Sequence, residues 1–147
     1  MKSLIYPVAL LLAAQVHAQE PSMNTRSQDQ DAAVAQQLID HHFEIWNDTS
    51  AARRLPKYPA VYTDQVFVAD YAGSATGHAA VDRMIDAVHA RFPGYRFTPN
   101  PIGWNHGIGR VTWGYGPAGD PDRIRGEDVF TIEGGRIASA RVFIDKQ

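Results

Sequence analysis

The chain has 147 residues, with fourteen Lys or Arg against sixteen Asp or Glu and a net charge of −2. That length supports one domain with its own core rather than two, and so mild a balance gives no basic stripe for nucleic acid. The absence of cysteine excludes disulfides, thiolate nucleophiles, cysteine-held metals and a lipidated anchor.

In chain order, Lys2, the apolar run Leu4–Val16 and the close Val16-His17-Ala18 have the layout of a cleavable signal peptide. The run is too short for a stable membrane span. Residues 1–18 are therefore expected to be removed, leaving a secreted or periplasmic protein without membrane contact after cleavage. Residues 19–28 are polar and read as a flexible leader. The domain then occupies 29–147. Asp29 or Asp31 can cap a helix to about Trp46, whose Val34, Leu38, Ile39, Phe43 and Ile45–Trp46 share a face. Asn47-Asp48-Thr49-Ser50 breaks it ahead of a short helix, Ala51–Leu55, that Pro56 ends; Lys57–Tyr62 is a loop or broken helix.

Val66–Asp70 reads as a buried strand and Tyr71–Gly77 as a turn-rich connection. A second strong helix is expected over Ala79–Phe92, with Val81, Met84, Ile85, Val88 and Phe92 on one stripe and Pro93-Gly94 as its stop. Four strands follow: Tyr95–Ile102, Trp104–Tyr115, Arg123–Glu133 and Arg136–Asp145. Helices followed by consecutive strands predict an α+β domain with a curved antiparallel sheet.

The last strands carry charge where their pattern would bury it. Gly134-Gly135 is the tightest hairpin signal. If Glu133 faces Arg136, counting back sets Asp128 opposite Arg141; pairing Tyr115 with Arg123 sets Arg110 opposite Asp128. A carboxylate between two guanidinium groups is either a structural ion-pair ladder or the polar floor of a pocket. On the same count Trp104, His106 and Arg110 share one strand face, aromatic and basic, suited to a planar oxygenated ligand. Asp70 either caps the turn that follows it or serves as a base, since a carboxylate at an apolar cavity mouth is a stronger base than one in water. No metal site is expected, because His41 and His42 are adjacent on a helix and the other histidines lack ligand spacing. Nucleophile elbows, phosphate loops and dinucleotide fingerprints are also missing from the sequence. Cofactor-free acid/base work or plain binding remains.

Several segments, in this order, resemble one family: F-E-I-W-N-D at 43–48, Y-T-D-Q-V-F-V-A-D at 62–70, F-P-G-Y-R-F at 92–97, H-G-I-G-R-V-T-W at 106–113, G-E-D-V-F-T-I-E-G-G-R-I at 126–137 and F-I-D at 143–145. The chain is similar to the SnoaL-like polyketide cyclases of the nuclear-transport-factor-2-like superfamily, to which ketosteroid isomerase is related. The resemblance implies a cone-shaped α+β fold in which the sheet wraps three helices around an apolar pocket, usually as a homodimer. It implies a general-base role for Asp70 and an acid/base or oxyanion-binding role for Asp128. His42 falls where the isomerase has a tyrosine, a departure that tells against steroid-type isomerisation. Arg110 and His106 would stabilise oxyanion charge, while Tyr62, Tyr71, Trp104, Trp113, Phe130 and Arg141 would line the substrate site. The expected ligand is a small apolar or aromatic oxygenated molecule. The expected activity, needing no cofactor, is isomerisation, cyclisation or dehydration next to a carbonyl; the alternatives are a non-catalytic ligand binder and an interaction module.

Overall fold

A computed structural model describes residues 22–145, with side chains from Gln30 onward. The expected signal peptide lies outside the described residues. Helix α1 spans Ser22–Asn47, so residues 22–28 are helical where a leader was expected. No Gly or Pro interrupts that stretch, and only those residues carry a large helix penalty. Leu38, Ile39, His42, Phe43, Ile45 and Trp46 face inward.

Next come α2 (Ala51–Arg54), a 3-10 turn (Leu55–Lys57) and α3 (Tyr58–Val61). Pro56 and Pro59 each lie in the first turn of their segment, where the missing N–H costs nothing, so the chain bends rather than stops. Strand β1 (Tyr62–Asp70) turns back into β2 (Gly73–Thr76), a strand the glycine-rich sequence had disguised as a turn. Helix α4 covers His78–Arg91. Strands β3 (Arg96–Pro99), β4 (Gly103–Asn105), β5 (Ile108–Gly116), β6 (Ile124–Glu133) and β7 (Arg136–Ile144) complete the chain.

The strands form one curved, unclosed sheet in the order β2-β1-β7-β6-β5-β3, with β4 also paired to β5. The sheet is mixed rather than wholly antiparallel, because β1 runs parallel to β7. The expected strand Tyr95–Ile102 is cut at Asn100-Pro101, and its two parts pair with opposite ends of β5. Trp104–Tyr115 is likewise two strands. His106 (φ 46°) and Gly107 (φ 93°) make a two-residue hairpin turn, the positive-φ geometry that matches strand twist.

Both registers counted from the sequence are one residue out. Tyr115 pairs with Ile124, not Arg123, so Val111 faces Asp128 and Arg110 faces Val129. Glu133 does face Arg136, but the ladder shifts between Ile132 and Thr131, where Ile137 gives way to Ser139. This bulge leaves Ala138 unpaired and sets Asp128 opposite Val142, with Arg141 opposite Val129. A one-residue slip exchanges the faces of a strand. Arg110 and Arg141 therefore sit on the outer face, while Val111, Trp113, Tyr115, Asp128, Phe130 and Ala140 turn toward the helices.

Candidate functional site

Between α1, α4 and the concave side of the sheet lies a cavity of about 720 Å³ that opens at one side. This is within the size range of small-molecule sites. Phe43, Trp46, Val68, Met84, Val88, Phe97, Ala140 and Val142 give it an apolar wall. Its deep polar groups come from three elements: His42 of α1, Trp113 of β5 and Asp128 of β6.

Asp128 is 4 % exposed. The indole Nε1 of Trp113 donates to its Oδ1 at 2.9 Å, and His42 Nε2 stands 3.5 Å from Oδ2. Gly126 makes the first contact possible. It pairs with Trp113 across the ladder, and a Cβ there would fall 2.7 Å from the indole ring. Only glycine lets the ring lie across β6 with its N–H on the carboxylate.

Behind His42, the Tyr62 hydroxyl is 2.8 Å from Nδ1. Burial pushes the Tyr62 hydroxyl well above its ordinary value, so it keeps its proton. A protonated hydroxyl donates to a bare Nδ1, which leaves the imidazole hydrogen on Nε2, facing Asp128. The opposite tautomer would set a lone pair against a carboxylate. The chain Tyr62, His42, Asp128 and Trp113 is thus a buried proton-bearing network ending at the cavity.

Asp70 combines features of both expectations. Its Oδ1 accepts the backbone N–H groups of Ala72 (2.7 Å) and Gly73 (2.9 Å), capping the β1–β2 turn. It also lines the cavity rim beside Tyr71, which is 72 % exposed. Tyr115 lines the wall too. Its hydroxyl is buried without a hydrogen-bond partner, and burial pushes it up to about 12.

Other expected site residues are elsewhere. Arg110 binds Glu127 on the outer face. Arg141, also outside, lies 4.8 Å above the Phe67 ring. His106 is exposed in the β4–β5 turn. Trp104 and Phe130 pack against each other away from the cavity, and Tyr62 acts only through His42. The structure thus brings His42, Asp70, Tyr71, Trp113 and Asp128 to one cavity and leaves His106, Arg110 and Arg141 off it. Sequence reasoning missed Trp46, Val68, Arg91, Phe97 and Tyr115; the α1 spacing that buries Leu38 and Ile39 signals His42 and Trp46 as inward. Among the described residues no group of three or more His, Asp or Glu side chains could hold a metal ion.

A family profile for the SnoaL-like domain matches residues 39–140. The chain belongs to the SnoaL-like family. Among curated proteins none is similar enough to count as a match. A candidate isomerase of the same family from Agrobacterium tumefaciens superposes with a TM-score of 0.72 at 22% identity, covering 78% of this chain and 99% of that one. A candidate polyketide cyclase from Sinorhizobium meliloti gives 0.60 at 16% identity, covering 72% and 93%. A candidate ketosteroid isomerase from Kribbella flavida gives 0.60 at 16% identity, covering 80% and 82%. Likeness at these identities establishes the nuclear-transport-factor-2-like fold of this SnoaL-like chain, while the reaction must be argued from the site.

Proposed function

We propose that this SnoaL-like protein is a cofactor-free acid/base enzyme acting next to a carbonyl, with Asp128 as the base. One observation carries the reading. Asp128 is a carboxylate removed from water, bordering an apolar cavity, with only Trp113 and His42 beside its oxygens. A carboxylate has about four lone-pair positions, so accepting capacity is left on the cavity side. Asp70 is the weaker candidate, since two backbone amides already draw on its Oδ1.

In the proposed step Asp128 takes a proton from the carbon beside the carbonyl, and the C–H electron pair passes into an enolate. The same carboxyl returns the proton to a neighbouring carbon, which balances as an isomerisation. If the enolate attacks a second carbonyl instead, a cyclisation results; if it expels a leaving group, an elimination. Trp113 and His42 fix the carboxyl plane, and Tyr62 fixes the tautomer of His42. The unpartnered Tyr115 hydroxyl is a donor available to a ligand oxygen.

The test does not need the natural substrate. Cyclic ketones and β-keto esters are incubated with the protein in D2O, and deuterium uptake next to the carbonyl is followed by NMR. Wild type should accelerate uptake for at least one ketone that binds, and Asp128→Asn should lower that rate about a hundredfold or more, the usual scale for a general base. Ketones that bind with no catalysed uptake would make the protein a non-catalytic binder instead.

The sequence pattern of residues 1–18 supports export, and a mature N-terminus at Gln19 in mass spectrometry would test it. A homodimer through the outer sheet face is supported by the exposed Ile108 and Phe143. Light scattering on Phe143→Glu reads that proposal, and a monomeric wild type rejects it.

A further inference from the structure

The cavity has one cationic side chain at its rim, Arg91, which no feature of the proposed chemistry employs. Arg91 is the last residue of α4 and lines the cavity with its neighbour Phe92. Its guanidinium carbon stands 5.3 Å from the Phe92 ring centroid, so the cation is held over the wall. A basic residue complements the negative end of a helix, but that accounts for its place in the sequence and not for its place on the rim. The described structure gives it no carboxylate partner, whereas Arg53, Arg54, Arg110 and Arg136 each have one.

The sign of the rim follows from comparing its two charges. The Asp70 carboxylate is compensated by two backbone N–H groups; Arg91 has only the face of a ring. An anionic group on a ligand cannot enter the apolar interior without losing its hydration, and it would meet Asp128 there. It can remain half-solvated at the rim beside Arg91.

We propose that Arg91 is a specificity residue for amphipathic acids: the ligand enters apolar end first, its anionic group stays at Arg91, and its carbonyl end is delivered to Asp128. The inference rests on the cavity being the ligand site, as the proposed function requires. It adds the class of ligand and its orientation.

A pair of dyes with one aromatic body separates the two ideas: anionic 1-anilinonaphthalene-8-sulfonate and neutral N-phenyl-1-naphthylamine. Fluorescence titration gives the ratio of their dissociation constants for wild type, Arg91→Ala, Arg91→Glu and Arg83→Glu. Arg83 is an exposed arginine of α4 outside the cavity, so its reversal changes net charge alone. The preference for the sulfonate should fall about threefold in Arg91→Ala and about tenfold in Arg91→Glu, remain in Arg83→Glu, and weaken with salt, as for a partly exposed ion pair. Neutral-dye affinity should stay the same throughout. Equal ratios in wild type and Arg91→Glu, or an equal fall in Arg83→Glu, would overturn the assignment while leaving the cavity intact. A neutral dye that fails to bind wild type, or binds undiminished to Val88→Trp, would remove the cavity as the ligand site and this inference with it.

Discussion

Arg54 and Asp128 are both taken out of water, yet their surroundings treat them in opposite ways. Arg54 is fully buried. It donates from Nε to Asp82 (2.9 Å), from Nη1 to the Asp48 carbonyl (2.8 Å) and from Nη2 to Asp86 (2.5 Å). Tyr58 closes the group by donating to Asp82 at 2.9 Å. Burial works against the charged guanidinium, but the hydrogen bonds of Asp82 and Asp86 outweigh it and hold Arg54 above its ordinary value. Burial, with the bond to Asp82, also pushes the Tyr58 hydroxyl upward. No member of this cluster borders the cavity. It ties α2 and α3 to α4, which is structural work. Asp128 is partly partnered and its remaining capacity faces a void. Burial alone does not mark a functional charge; unfilled capacity beside a space does.

Perturbing each cluster should give different signatures. The largest loss of stability is expected from Arg54→Ala, which strands Asp82 and leaves Tyr58 half-partnered. Breaking a buried pair by removing one partner costs about 3–5 kcal/mol, read as a lower midpoint in urea unfolding. Asp128→Asn should change stability by less than about 1.5 kcal/mol, because the amide oxygen can still accept from Trp113. If Asp128→Asn proved as destabilising as Arg54→Ala, both clusters would be structural and the contrast would fail. Gly126→Val is expected to cost about 1–3 kcal/mol by overpacking the Trp113 ring, and to lower ketone exchange along with stability.

Tyr62→Phe sharpens the comparison at smaller scale. Losing the hydroxyl leaves His42 Nδ1 unpartnered and frees the tautomer, costing about 1–3 kcal/mol. The pH profile of deuterium uptake should change with it, since the protonation of His42 is no longer fixed. An unchanged profile would show that Tyr62 only fills space. The smallest effect concerns Asp48, held down to about 2 by the Arg53 side chain and the Ser50 amide. Its folded value lies below the ordinary one, so its contribution is present above about pH 4 and is lost as pH falls toward 2. Asp48→Asn should therefore flatten the acid limb of stability in that window and leave neutral pH nearly unchanged.

Much of the fold was legible because its signals are local. The apolar stripes of α1 and α4, the Gly134-Gly135 hairpin and the inward place of Asp128 all follow from spacing within one element. The site failed where position depended on counting across irregularities. The bulge at Ala138 and the loop before Ile124 each shift a ladder by one residue, which sent Arg110 and Arg141 to the wrong face. The His106-Gly107 turn split a strand that composition joined. The bond between His42 and Asp128 links the first helix to the sixth strand, and no local pattern reports so distant a meeting. The cluster at Arg54 went unseen for the same reason.

The bulge in β7 has a consequence for how this wall could change over time. Past it, Val142 and Ile144 line the chamber while Arg141 and Phe143 look away. Loss of the single codon for Ala138 would restore a regular ladder and turn the rest of the strand over. Arginine and phenylalanine would then replace valine and isoleucine as lining, with no other base altered. A relative carrying that deletion should accept a different class of guest, and the shortest mutational path between the two would be three nucleotides long.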